Sequence, residues 1–141
     1  MEAFIIGAQA IFNPLCMFLI VFGVTLGIIF GAIPGLSATM ALALFLPITY
    51  SMDPVAGVVL LVSLYIGGIS GGLISAILTR IPGTPSSVAT CFDGYPMTMR
   101  GEGPKALGVG IVYSFIGTIM STIVLIFMAP LLAKVAIKFG A

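Results

Sequence analysis

Residues 54–79 read PVAGVVLLVSLYIGGISGGLISAILT and contain no charged side chain. A helix of this length rises about 39 Å, which exceeds the roughly 30 Å hydrocarbon core of a bilayer. The rest of the chain is similar, because 60% of its 141 residues are hydrophobic and 6% are charged, whereas about 25% of a typical soluble domain is charged. The sequence therefore predicts an all-α membrane protein.

Two further uncharged blocks, residues 3–52 and residues 106–133, extend this pattern along the chain. The second block is long enough for one crossing, whereas the first is too long for one helix and too short for three. We expect a polytopic transmembrane helix bundle that forms a single domain over residues 1–141. Its predicted membrane segments are 15–33, 37–50, 54–79 and 106–132.

The first block is interrupted by GAIPGLS, residues 31–37. Pro34 removes a backbone donor and Gly35 relaxes the limits on φ, so the preceding helix should end near Ala32. Ser37 can cap the next helix, which would rise only about 21 Å. This length favours a broken or re-entrant helix pair inside the membrane. Two ordinary helices joined by a turn outside the bilayer are the alternative.

A second Pro-Gly break, IPGTPSS, occupies residues 81–87. Thr84 is the predicted N-cap of a short helical turn, in which two serine hydroxyls lie beside unpaired amides. We expect the rest of residues 80–105 to form a partly polar loop. Within it, Asp93-Gly94-Tyr95-Pro96 is typical of a turn, because Asp can bond its own backbone and Gly accepts a positive φ.

Glycines recur at helical spacing along two of the apolar segments. One set repeats every four residues from Gly23 to Gly35, and a second comprises the pairs 67–68 and 71–72. Small residues on one helical stripe let helix backbones approach closely in lipid. The pattern favours helix packing, and ligand contact is the alternative.

Several classes of chemistry find no support in the sequence. A net charge of +1 without a basic run argues against nucleic acid, and no metal or cofactor is expected. Cys16 and Cys91 match no metal or redox spacing and fit small apolar fillers. Ser70 lies in a G-x-S-x-G pattern, but no histidine exists to activate it and the pattern falls within a predicted helix. We therefore predict that the chain is not an enzyme.

The apolar segments hold so few ionisable groups that any solute must be recognised by other means. Helix N-termini offer free amides to anions, and unwound carbonyls suit Na⁺. The two Pro-Gly breaks supply such ends together with hydroxyl side chains. This composition favours an anion carrier, with Arg80 as the nearest cationic side chain.

Four phrases, in this order and spacing, make the chain resemble the large membrane subunit of the tripartite tricarboxylate transporters. They are GAIPGLS at 31–37, GGISGG at 67–72 with AIL at 76–78, IPGTPSS at 81–87, and DGYP at 93–96 with Gly101 and ALG at 106–108. The resemblance implies a multi-pass permease of the bacterial inner membrane. Such a permease imports carboxylates such as citrate by symport with an ion, Na⁺ or H⁺.

The resemblance also implies partners: a small membrane subunit, a periplasmic solute-binding protein and the remainder of the permease. The family's large subunit is several times longer than this chain, so we expect an N-terminal portion. A membrane scaffold that packs through its glycine stripes and transports nothing is the alternative function.

Carried over by position, the resemblance marks both breaks as the substrate or ion region. The expected substrate-binding residues are Pro34, Gly35, Ser37, Pro82, Gly83, Thr84, Ser86 and Ser87, with Arg80, Asp93 and Tyr95 in supporting roles. Ser37 stands where many members are expected to have glycine. Asp93 and Tyr95 belong to the signature and are equally explained as turn-forming residues.

Overall fold

The computed structural model describes residues 7, 9 and 11–139 of the chain. Between Ile11 and Phe139 the chain is α-helical apart from short connections, and no strand occurs there. The helices are α1 (Pro14–Ala32), α2 (Ala38–Thr49), α3 (Pro54–Thr79), a 3₁₀ turn (Pro85–Ser87), α4 (Thr90–Met99) and α5 (Gly103–Phe139). Three of them, α1, α3 and α5 as far as Ala129, are long and apolar enough to cross a membrane. The expected all-α membrane bundle is confirmed.

The chain divides into two compact units, one up to Leu107 and one from Gly108. In the first unit α1 and α2 pack against α3, around a core that includes Leu19, Ala41 and Leu64. The second unit consists of α5 beyond Gly108, where no side chain over residues 108–129 is buried. Its largely apolar surface is unfavourable in water and stable in lipid.

Glycine contacts hold α1 and α3 together. A Cβ built on Gly27 would lie 2.8 Å from the backbone nitrogen of Gly68, and one built on Gly71 would lie 2.8 Å from that of Ala32. No side chain fits between the two backbones, so these glycines serve helix packing. Gly35 does not belong to the stripe, because it has a φ of +95° and no neighbouring atom within 4 Å of a built Cβ.

The helix ends at the first break follow the sequence prediction. Helix α1 stops at Ala32, and the Met40 N–H donates to Ser37 Oγ at 3.2 Å to cap α2. Pro47 lies within α2, which ends at Thr49, close to the end of the predicted segment 37–50.

The first break lies at a level well inside the span of α3. Ala38, the first residue of α2, packs on Gly68, whereas Thr49 at the other end of α2 packs on Gly57. Helix α2 therefore runs antiparallel to α3. Gly68 precedes the end of α3 by eleven residues, or about 16 Å, so the break falls at membrane depth if α3 spans the bilayer. This level favours the broken-helix arrangement over a turn outside the bilayer.

The expectation of a turn at Asp93-Gly94-Tyr95-Pro96 is wrong, since all four residues lie inside α4. Gly94 is buried, and a Cβ built on it would lie 2.7 Å from Cγ1 of Ile77 on α3. The Thr98 hydroxyl also donates to the Ile77 carbonyl at 2.8 Å. Close packing on α3 therefore outweighs the local turn preference, and the chain turns later, at Gly101 with a φ of +81°.

Candidate functional site

The two Pro-Gly breaks meet at one cavity of about 290 Å³ in the first unit. Residues from both breaks contribute to it, although Ser37 and Thr84 are far apart in the sequence. Helix α3 supplies the remaining wall. The lining residues are Ser37, Ala38, Thr39, Tyr65, Ile69, Thr84, Pro85 and Ser86.

Two glycines one turn apart on α3 allow both breaks to approach. A Cβ built on Gly68 would lie 2.5 Å from the Ala38 side chain, and one built on Gly72 would lie 2.9 Å from Cγ2 of Thr84. After α3 ends at Thr79, the chain therefore returns to the level of Gly72 before the 3₁₀ turn begins. Gly83 fits there because a Cβ on it would meet the Gly72 Cα at 2.8 Å.

Hydroxyl groups form a pair on each break. Ser37 Oγ and Thr39 Oγ1 are hydrogen-bonded at 2.8 Å, and Thr84 Oγ1 and Ser86 Oγ are hydrogen-bonded at 3.1 Å. Each pair consumes one of its two hydroxyl hydrogens, and the described residues offer no second acceptor. One hydroxyl per pair is therefore free to donate to a ligand.

The cavity combines a positive partial charge with neutral walls. The first amides of α2, at Ala38 and Thr39, have no acceptor within their own helix, and a helix N-terminus carries a positive partial charge. None of the described residues that line the cavity is charged. An anion there would be held by hydroxyls and amides rather than by a cation.

The structure places the predicted site residues in three settings. Ser37, Thr84 and Ser86 line the cavity, whereas Ser87 is buried behind it. The Ser87 hydroxyl accepts from the Thr84 N–H at 3.3 Å and donates to the Thr84 carbonyl at 2.8 Å, so it shapes the turn. The other four do not line the cavity: Pro34, Gly35 and Pro82 are exposed, and Gly83 is buried.

The three supporting residues lie elsewhere in the first unit. Arg80 and Tyr95 line a separate cavity of about 410 Å³, which shares no residue with the hydroxyl-lined one. The Arg80 guanidinium carbon lies 5.8 Å from the centre of the Tyr95 ring. Asp93 is exposed on α4 and lines neither cavity.

Sequence reasoning missed five lining residues, of which Pro85 lies between two that it named. Thr39 could have been found, because it is the next hydroxyl after Ser37 in the same turn. Tyr65 and Ile69 are one turn apart on α3, but no local pattern shows that this face meets the breaks. The contact of Ala38 with Gly68 likewise becomes apparent only from the packing of α2 on α3.

The serine of the G-x-S-x-G pattern is hydrogen-bonded within its own helix. Ser70 Oγ donates to the Ile66 carbonyl of its own helix at 2.9 Å. Cys16 and Cys91 are free and buried. Over the described residues, no group of three or more His, Cys, Asp or Glu side chains could hold a metal ion.

A model of the tripartite tricarboxylate transporter TctA family matches residues 17–141. The chain belongs to this family. Membership confirms the resemblance carried by the Pro-Gly and glycine phrases. It indicates a membrane transporter component rather than an enzyme, and a tripartite system implies further subunits.

A relative of this TctA family chain occurs in Agrobacterium vitis, where it is described as an uncharacterized 52.8 kDa protein in the TAR-I ttuC' 3' region. The two are 38% identical over 136 residues, which cover 96% of this chain and 27% of the relative. The chain thus spans about a quarter of the length of that relative. No solved structure matches it.

Proposed function

We propose that this chain is part of a bacterial inner-membrane permease that imports tricarboxylate or related carboxylate anions, such as citrate. The observation that carries the proposal is the hydroxyl-lined cavity at which both Pro-Gly breaks meet on α3. Import would be driven by symport with Na⁺ or H⁺, and no cofactor takes part. Family membership supports the transport role.

The chemistry of the cavity suits a carboxylate. Carboxylate oxygens only accept hydrogen bonds, and the two hydroxyl pairs and the start of α2 provide donors. Because the donors are neutral, the anion would be bound without forming an ion pair, which favours release after translocation. Hydrogen bonds with one charged partner are roughly twice as strong as neutral ones, so a few such donors suffice.

The partners follow from the tripartite character of the family. A periplasmic solute-binding protein would deliver the carboxylate, and a small membrane subunit would complete the system. The remainder of the permease would close the cavity, since the described walls come from one side of α3 and the two breaks. The greater length of the relative supports this part of the proposal.

The test is uptake of labelled citrate by proteoliposomes that contain the full-length permease with its two partners. The double variant Thr39→Ala, Ser86→Ala removes one hydroxyl from each pair and retains the Ser37 cap of α2. Each lost hydrogen bond to a charged group costs about 1.5–3 kcal/mol, so we expect uptake at low citrate to fall at least tenfold.

Ser70→Ala is the matched control, because it removes a hydroxyl that bonds only within α3 and does not line the cavity. Its uptake should equal that of the wild type. Normal uptake by the double variant, at equal protein content, would place the substrate elsewhere. The scaffold alternative predicts no citrate uptake by any of these proteins, the wild type included.

A further inference from the structure

A second cavity of about 410 Å³ lies beside the end of α3 and carries two arginines. Arg80 follows the last residue of α3 and adopts a left-handed backbone with a φ of 60°. Arg100 follows the last residue of α4. Both arginines line this cavity together with Tyr95, although the whole of α4 separates them in the sequence.

Neither arginine is neutralised within the part of the chain whose side chains are described. The carboxylates nearest to them in the sequence do not neutralise them. Glu102 pairs with Lys105 at 3.5 Å, and Asp93 does not line the cavity. Tyr95 contributes the face of its ring to Arg80, at 5.8 Å. Two unpaired cations at one cavity attract an anion.

The position of this cavity favours a lipid as the source of that anion. Helix α3 is long enough to cross the bilayer, so Arg80 at its end lies at the level of the lipid headgroups. Phe92 and Met99 also line the cavity and are 71% and 69% exposed. Apolar side chains beside arginines fit a molecule that has both a charged group and an acyl chain.

We propose that this cavity binds the phosphate group of an anionic phospholipid. Arg80 and Arg100 donate hydrogen bonds to the phosphate oxygens, since the planar guanidinium matches phosphate geometry. Phe92 and Met99 contact the upper part of an acyl chain. Basic pockets next to transmembrane helices bind headgroups in this way. The proposal depends on membrane insertion of α3 and does not depend on the identity of the transported anion.

Native mass spectrometry of the full-length permease, purified in detergent, tests the proposal with phosphatidylglycerol and the zwitterionic phosphatidylcholine as probes. The wild type should retain phosphatidylglycerol preferentially. Arg80→Gln and Arg100→Gln should each weaken its retention about fivefold, the factor that corresponds to about 1 kcal/mol for a basic residue near an anionic lipid. Unchanged retention in both variants would overturn the proposal.

Lys105→Gln is the matched control, because it removes an equal charge from the same unit at a residue that does not line the cavity. It should retain phosphatidylglycerol as the wild type does, and a loss equal to that of the arginine variants would indicate a general charge effect and overturn the site. If Arg80→Gln does not fold, Arg100→Gln decides the outcome alone.

Competition distinguishes a lipid from a free anion. Inorganic phosphate and citrate, each at millimolar concentration, should leave bound phosphatidylglycerol in place, because neither has an acyl chain to replace the contacts with Phe92 and Met99. Displacement by phosphate would assign the cavity to a free anion. Displacement by citrate would make it part of the transport pathway, and either result overturns the lipid assignment.

Discussion

Ser86 and Ser87 are adjacent in the chain but lie in different environments. Ser86 is exposed at the hydroxyl-lined cavity, and among the described residues its side chain bonds to the Thr84 hydroxyl alone. Ser87 is 4% exposed and forms both of its side-chain hydrogen bonds with the Thr84 backbone. The same residue type thus lines a cavity at one position and holds a turn at the next.

Ser87→Ala should lower stability rather than substrate affinity. It removes the acceptor of the Thr84 N–H, and Thr84 is itself buried. An unsatisfied buried donor costs about 1–3 kcal/mol, so the apparent melting temperature of a permease of the relative's length should fall by about 1–3 °C. Ser86→Ala is the control, and its melting temperature should match the wild type within about 0.5 °C. Equal melting temperatures for both variants would contradict the role assigned to Ser87.

At the scale of elements, the contact between α1 and α3 depends on glycine backbones. A Cβ on Gly27 would meet the Gly68 nitrogen at 2.8 Å and the Gly67 Cα at 2.9 Å, and neither backbone atom can move aside without a shift of a helix. Gly117 on α5 has no atom within 4 Å of a built Cβ. The two glycines therefore differ in surroundings but share a helical backbone.

Gly27→Ala and Gly117→Ala should change stability in opposite directions. Alanine favours a helix over glycine by about 1 kcal/mol, and this gain should appear at Gly117 as a higher melting temperature. At Gly27 the overpacking costs about 1–3 kcal/mol and outweighs the gain. Thermal unfolding of the two purified variants measures the difference. A Gly27→Ala protein as stable as the wild type would rule out close helix packing as the reason for this glycine.

The helix ends that could be predicted from the sequence are those that depend on single residues. Pro34 with Ser37 stops one helix and caps the next, and the chemistry of those residues acts locally. The helix α4 could not be predicted, because its Gly94 is explained by Ile77 on another element. The contact of both breaks with α3 could not be predicted either. Glycine periodicity alone does not show that Gly68 packs against one break and Gly72 against the other.

At the scale of the whole molecule, the two cavities lie at different levels of α3. The hydroxyl-lined cavity is at the level of Gly68 and Gly72, whereas the arginine cavity is at the end of the helix, beside Arg80. The hydroxyl-lined cavity holds no charged side chain among its described walls, and the arginine cavity holds two. Charge thus remains at the membrane boundary, where burial of a cation is not required.

This arrangement predicts that water and substrate reach Ser86 at membrane depth. In a permease whose buried Cys16 and Cys91 are replaced by alanine, Ser86→Cys should react with a water-soluble methanethiosulfonate reagent. Citrate should slow that reaction severalfold, because the proposed substrate would occupy the same cavity. The measurement is the rate of thiol modification in proteoliposomes, with and without citrate.

Ile66→Cys provides the comparison, because Ile66 is an exposed apolar residue near the middle of α3 that does not line the hydroxyl-lined cavity. A thiol facing lipid does not ionise, and only the thiolate reacts, so modification of this variant should be far slower and insensitive to citrate. Equal rates for the two thiols would mean that the breaks form no aqueous path. If Ser86→Cys reacts rapidly and citrate does not slow the reaction, the cavity is open to water but is not the site at which citrate binds.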